Sequence, residues 1–387
     1  MDVRPAVRKT FSPAGKIWVV LHLRPLKRGS MEQQLLAIGR RLRARGTEVT
    51  YVFGQPPAPW LSDALSELSI AWKTLDFSRP FAAAVRLGAW LVEARPALVH
   101  FHFVRAYSPL IPAARLCGAK VVVNDHVTLT RAGDSLAREA YKHARATALN
   151  PLIDRRIAVS RSVADSVIDI EHVDPERVTV IENGIDLDRF ARADGRAARA
   201  ALAGERPLLL CVSRLQPEKG VETAIRALPL IGRGAVLALA GDGPMASEWQ
   251  ALAGALGVGA QVRFLGVRDD VEQLIAAADV VLVPSHWEEA FGLVVVEAMA
   301  AGKPVVVSAS GAMPAIVDTT GLVVPKRDPG ALAGAVTRLL DDPLLRARLG
   351  RAARRRAREC FGLPRYVDRV ISLYDELAPA PAASRAA

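Results

Sequence analysis

Val280-Val281-Leu282-Val283-Pro284-Ser285-His286-Trp287-Glu288-Glu289-Ala290-Phe291-Gly292-Leu293-Val294-Val295-Val296-Glu297-Ala298-Met299-Ala300-Ala301-Gly302-Lys303-Pro304-Val305-Val306-Val307 is the stretch that decides the fold. The apolar run before Pro284 reads as a buried parallel strand. A polar loop, 285–289, follows. Residues 293–301 suit a helix that Gly302 and Pro304 stop, and 305–307 form the next strand.

Two carboxylates flank the loop–helix junction. Glu297 sits among Val294, Val295, Val296, Ala298, Met299 and Ala300, where a charge is costly without a hydrogen-bonding partner. Vicinal hydroxyls of a sugar ring are suitable donors to it. Glu289 lies in the loop, and Gly292 lets backbone come close to a ligand at a helix start with free N–H groups. Such an assembly suits a sugar joined to a diphosphate. The same residues also fit a plainer account, in which Glu297 pairs with a nearby Lys or Arg and Glu289 is solvated.

Working outward, the chain shows alternating strand and helix signals. Strand-like runs occur at 17–23, 49–53, 98–103, 120–123, 157–159 and 178–181, with a helix over 31–45. Residues 191–206 are rich in Ala, Arg and Asp and lack strand character, which marks a linker. A second series begins at 208–212 and continues at 235–240, 261–264, 280–283, 305–307 and 322–324, with helices over 329–340 and 343–359. The fold class expected is α/β, with two Rossmann-like, doubly wound parallel-sheet domains at 16–190 and 207–360 facing across a cleft. Residues 1–15 and the Ala/Pro-rich 378–387 read as disordered ends.

The chain of 387 residues carries a net charge of +11. Residues 1–190 hold 27 Lys and Arg against 19 Asp and Glu, so the excess lies there and suggests an anionic partner. An aromatic content of 5% gives little for base stacking, and nucleic acid is not favoured. Cys117, Cys211 and Cys360 are scattered and odd in number, as befits buried thiols in a reducing cytoplasm. No apolar run approaches the ~18–20 residues of a membrane span, so membrane contact is expected to be peripheral.

Further candidates follow strands. Arg214 and Lys219, in Ser213-Arg214-Leu215-Gln216-Pro217-Glu218-Lys219-Gly220, can reach one pocket at the end of a sheet and hold a diphosphate; for a bare Arg–Lys pair, two surface cations in a loop is the commoner case. Gly29 and Ser30 precede the first helix and can turn N–H groups toward a phosphate or a sugar. His100 and His102 alternate with apolar residues and read as core or strand-end histidines. His126, in Asn124-Asp125-His126, reads by itself as structural.

Glu289, Phe291-Gly292-Leu293, Glu297-Ala298-Met299-Ala300 and Gly302-Lys303-Pro304 resemble the signature of retaining GT-B glycosyltransferases of family 4, marked by two glutamates with seven residues between them. The resemblance runs over about 16–377 and is densest from Arg214 to Pro304. It implies that Arg214 and Lys219 bind the donor pyrophosphate, that Glu297 holds the ribose and Glu289 the donor sugar, and that His126 contacts the transferred sugar. Phe291, Gly292, Leu293, Gly29 and Ser30 then belong to the donor site, with Arg268 in a segment whose backbone meets the nucleobase. It further implies a final helix, within 361–377, crossing back to the first domain. No metal or other cofactor is expected; the substrate is a nucleoside-diphosphate sugar, such as a UDP- or GDP-sugar, and Asp186-Leu187-Asp188 reads as part of an Asn-Gly turn.

Two departures stand out. Ser30 replaces a second glycine, and Ala315 stands where the family often has a glutamate. The expectation is a retaining glycosyltransferase with a lipid-linked or polysaccharide acceptor in bacterial cell-surface glycan synthesis. It would be cytoplasmic, at the inner face of an anionic membrane. A sugar-nucleotide 2-epimerase of the same fold, or a non-catalytic nucleotide-sugar-binding subunit, are the alternatives.

Overall fold

The computed structural model describes residues 15–26, 29–130 and 136–379. The disordered ends expected at 1–15 and 378–387 lie almost wholly outside those residues, as do Lys27 and Arg28. Thirteen strands form two parallel sheets. The first contains β1 (Ile17–Leu21), β2 (Val49–Phe53), β3 (Ala71–Thr74), β4 (Leu98–His102), β5 (Lys120–Asp125), β6 (Arg155–Ala158) and β7 (Val178–Val180), in the order β3-β2-β1-β4-β5-β6-β7. The second contains β8 (Leu208–Val212), β9 (Val236–Ala240), β10 (Val262–Phe264), β11 (Val280–Val283), β12 (Val305–Ser308) and β13 (Leu322–Val324), in the order β10-β9-β8-β11-β12-β13.

Helices cover both faces of each sheet, so the central strands are buried twice over and read as continuous apolar runs. β1, β4 and β9 are buried at every residue. In each sheet the strand order reverses once, between β1 and β4 and between β8 and β11. Chains leaving the carboxyl ends of two such neighbours part to opposite faces and leave a crevice between them. The loops after β1, β8 and β11 carry most of the candidate residues.

Residues 191–206, expected as a linker, hold the helix Arg196–Leu202. It packs on the helix Val271–Ala277, and Arg199 Nη1 reaches Asp279 Oδ2 at 2.6 Å, tying the segment to the second sheet. β3 carried no apolar signal because all four of its residues are exposed at the sheet edge. The helix Leu363–Leu377 returns to the first lobe. It packs on the helix Ser30–Ala44 and buries Tyr366, Val367, Val370, Ile371 and Tyr374 in that lobe's core. The chain thus passes twice between lobes, and the passages touch: Ile185 N donates to Phe361 O, and Leu363 N to Ile185 O, both at 2.9 Å. Among the described residues no helix is long and apolar enough to cross a membrane.

Candidate active site

The loop after β8 is pressed against the loop after β11. His286 N and Trp287 N donate to Glu218 O at 2.9 and 3.2 Å, and Ser285 Oγ lies 3.1 Å from that carbonyl. The approach depends on Gly220, whose φ of +64° is left-handed; a Cβ there would lie 2.0 Å from Pro284 O. The consequence is a fixed meeting of Lys219 and Glu289. Lys219 Nζ donates to Glu289 Oε1 at 2.7 Å, and Ser285 Oγ donates to the same oxygen at 2.8 Å. The Glu289 side chain is only 14% exposed, so the account that left it solvated does not hold. Arg214, on the same loop, is exposed, and among the described residues its side chain has no hydrogen bond or ion pair, which leaves it available to an anion.

Gly292, at φ +87°, turns the chain into the helix Leu293–Ala300. Glu297 lies in that helix, facing the other lobe: Ser30 Oγ donates to Glu297 Oε1 at 2.9 Å. Burial pushes the Glu297 carboxyl above its usual range, with the Ser30 bond and the Arg189 charge opposing and Glu272 reinforcing. Arg189 itself donates to Glu272 Oε2 at 2.8 Å. Gly29 occupies the position before the helix Ser30–Ala44, which has no side-chain cap, so its first N–H groups are not taken by one.

His126 follows β5, whose end is anchored by Arg156: Nε and Nη2 grip Asp125 at 2.8 and 2.6 Å, and Nη1 holds Glu171 at 2.5 Å. The His126 ring stacks on Phe103 at 4.2 Å, and its Nε2 lies 3.1 Å from His102 Nδ1. His102 packs against His100, whose Nδ1 meets the Tyr374 hydroxyl at 2.6 Å. Burial pushes His126 and His100 down to about 3 and His102 well below its usual value, so the row is neutral near pH 7. A neutral imidazole at His126 can exchange hydrogen bonds with a hydroxyl but brings no charge to it.

Two expected site residues point elsewhere. Arg268 pairs with Asp270, two residues on, at 2.6 Å on the exposed surface. Phe291 is buried, with its ring edge-on to Phe361 at 5.7 Å, so it anchors the loop from the core and presents no side chain to a ligand. Leu293 is partly buried at the start of its helix. Asp186 caps the helix Leu187–Ala191 by accepting from Asp188 N and Arg189 N, as a positional turn should. Three contributors went unread in sequence: Ser285, Tyr374 and the His102 contact.

Two doubly wound lobes, with paired cations and carboxylates at the crevice of the second and a histidine at the carboxyl edge of the first, define the GT-B class. Residues 31–189 match the model of Glycosyltransferase Family 4 and residues 196–356 that of Glycosyl transferases group 1. Between them these cover most of the chain, and it belongs to this family of glycosyltransferases. A D-inositol 3-phosphate glycosyltransferase of Salinispora tropica is 40% identical over 58% of this chain and 51% of its own length. A glycogen synthase of Mycobacterium tuberculosis is 36% identical over 69% of this chain and 66% of its own. The match to the first of these spans about half of that relative. Among solved structures, Anabaena HepE in complex with UDP-glucose superimposes with a TM-score of 0.79, at 22% identity, over 94% of this chain and 100% of that one.

Proposed function

We propose that the protein transfers a sugar, with retention at the anomeric carbon, from a nucleoside-diphosphate sugar to an acceptor bound by the N-terminal lobe. The observation that carries this is the Lys219–Glu289 contact at 2.7 Å, with Arg214 on the same loop and without an ion pair among the described residues. Lys219 and Arg214 would neutralise the diphosphate as it leaves. The second oxygen of Glu289 accepts from hydroxyls of the donor sugar, and Glu297 from those of the ribose. The backbone at Gly29, Ser30, Gly292 and Leu293 faces the phosphates and the sugar. His126, neutral, orients the sugar near its anomeric carbon.

Glu289 is held by Lys219 and Ser285, which suits a binding carboxylate more than a nucleophile. Departure and attack on the same face then account for retention: the carbon–phosphate oxygen bond breaks, the acceptor oxygen bonds to the same carbon, and the leaving phosphate takes the acceptor proton. This asks nothing of a metal. The complex of Anabaena HepE with UDP-glucose makes UDP-sugars the first donors to try. The basic N-terminal half favours an anionic or lipid-linked acceptor at the cytoplasmic membrane face, as in surface-glycan synthesis. Incubation of Glu289→Ala with donor and acceptor tests the reading. Product formation should fall by about 10²–10³-fold, and a variant as fast as the wild type refutes it.

A further inference from the structure

The helix Pro80–Ala94 has two apolar faces. One packs Ala83, Ala84, Leu87 and Leu91 into the N-terminal lobe. The other faces outward, with Phe81 77%, Val85 76% and Val92 63% exposed. Positions 81, 85 and 92 lie on one side of a helix, so these side chains form a ridge. The neighbouring helix Leu110–Leu116 extends it. Cys117 Sγ lies 3.7 Å from Gly88 O, in the middle of the ridge helix, and Leu116, the residue before it, is 88% exposed. Exposed apolar side chains gathered in this way mark an interaction surface, whereas scattered ones would need no explanation.

Cations border the ridge. Arg79 and Arg95 stand at its two ends, and residues 79–95 hold three arginines against one acid, Glu93. Arg86 and Lys73 both reach over the Trp90 ring, at 5.1 and 5.0 Å. Arg79 sits in the capping position at the helix start, where the helix dipole disfavours a positive charge and no side chain caps the backbone. Asp76, three residues before it, meets part of that charge; the remainder opposes the helix dipole, and an anionic surface outside the helix would relieve it.

We propose that this ridge seats the protein on an anionic lipid bilayer. A convex row of apolar side chains with arginines at its margins matches the way an amphipathic helix lies in the headgroup layer. Each cation near an anionic surface adds about 1 kcal/mol. A stable protein interface takes roughly 20–30 residues a side, far more than this ridge offers. The helix follows β3 in a parallel sheet, so its Phe81 end lies at the carboxyl edge, the edge that carries Phe103 and His126. The docked lobe therefore holds the cleft mouth beside the bilayer. Only that last consequence, delivery of a lipid-linked acceptor, rests on the transferase reading; the seat itself does not.

The test is co-sedimentation of the full chain with vesicles of phosphatidylcholine alone and of equal parts phosphatidylcholine and phosphatidylglycerol. Wild type should pellet with the mixed vesicles only. Phe81→Ser/Val85→Ser and Arg79→Gln/Arg86→Gln should each weaken binding by about tenfold or more. Thermal midpoints, and turnover of a water-soluble acceptor, should stay at wild-type values, because these side chains are exposed and remote from the donor site. Wild type left in the supernatant, or variants that pellet equally, would overturn the seat. So would light scattering that shows a wild-type dimer dissociated by Phe81→Ser/Val85→Ser, since the ridge would then belong to a second copy. Wild type that pellets with the mixed vesicles yet turns over no sugar nucleotide would count against the transferase reading alone.

Discussion

Ser30 Oγ, in the N-terminal lobe, donates to Glu297 Oε1, in the C-terminal lobe, at 2.9 Å across 267 positions of chain. The serine stands where the family usually has glycine, and its hydroxyl takes an oxygen that a ribose diol would use. Ser30→Gly keeps the backbone N–H while it frees that oxygen. A hydrogen bond to a charged group is worth about 1.5–3 kcal/mol, much of it regained by the ligand. The donor KM should fall by about three- to tenfold, with kcat nearly unchanged, in steady-state assays.

Lys219 and Arg214 should separate under mutation. Lys219→Met leaves Glu289 without its cation in a nearly buried setting, so both folding and transfer suffer. Transfer should drop about 10²–10³-fold, and a cycle with Glu289→Gln should be far from additive. Arg214→Gln removes an exposed cation that, among the described residues, has no partner to strand. Its thermal midpoint should match wild type while transfer slows by about 10- to 100-fold.

Gly220→Ala checks how the β8 loop is set. The new Cβ would meet Pro284 O at 2.0 Å in a left-handed conformation. Stability should fall by about 1–3 kcal/mol, read from urea unfolding. Donor KM should rise as well, because the displaced loop carries Lys219.

The histidine row makes stability depend on pH. His100 titrates near 6.5 when unfolded and is pushed down to about 3 by burial; His102 is shifted the same way. Between those values the unfolded chain binds more protons, so stability is full above about pH 6.5 and is lost as pH falls toward 3. Each histidine gives a slope of at most about 1.4 kcal/mol per pH unit. Urea midpoints followed from pH 7 to pH 4 should decline, and His102→Asn should flatten the decline.

The buried strands of both sheets were legible because a strand covered on both faces has to be apolar along its length. Glu289, Glu297, Arg214 and Lys219 were legible as types at fixed spacings. What escaped were contacts between distant parts of the chain. Nothing near Ser30 announces Glu297, and nothing near His100 announces Tyr374. The side chain of Arg268 escaped for the opposite reason: its partner, Asp270, is only two residues away, and the backbone contact expected of this segment leaves no side-chain pattern. The helix Arg196–Leu202 was hidden by its composition, since Ala and Arg without a broad apolar stripe look like a spacer.

The return of Leu363–Leu377 to the first lobe bears on how the chain matures. During synthesis, Leu35, Ile38 and Tyr51 emerge early, yet the Tyr366, Val370 and Tyr374 side chains that share their cluster come off the ribosome some three hundred residues later. The first half waits, unfinished and with a greasy flank open, until the second half has been made. A nascent chain halted before residue 363 should therefore be a preferred client of chaperones and proteases, while the β8–β13 unit, complete by then, should not.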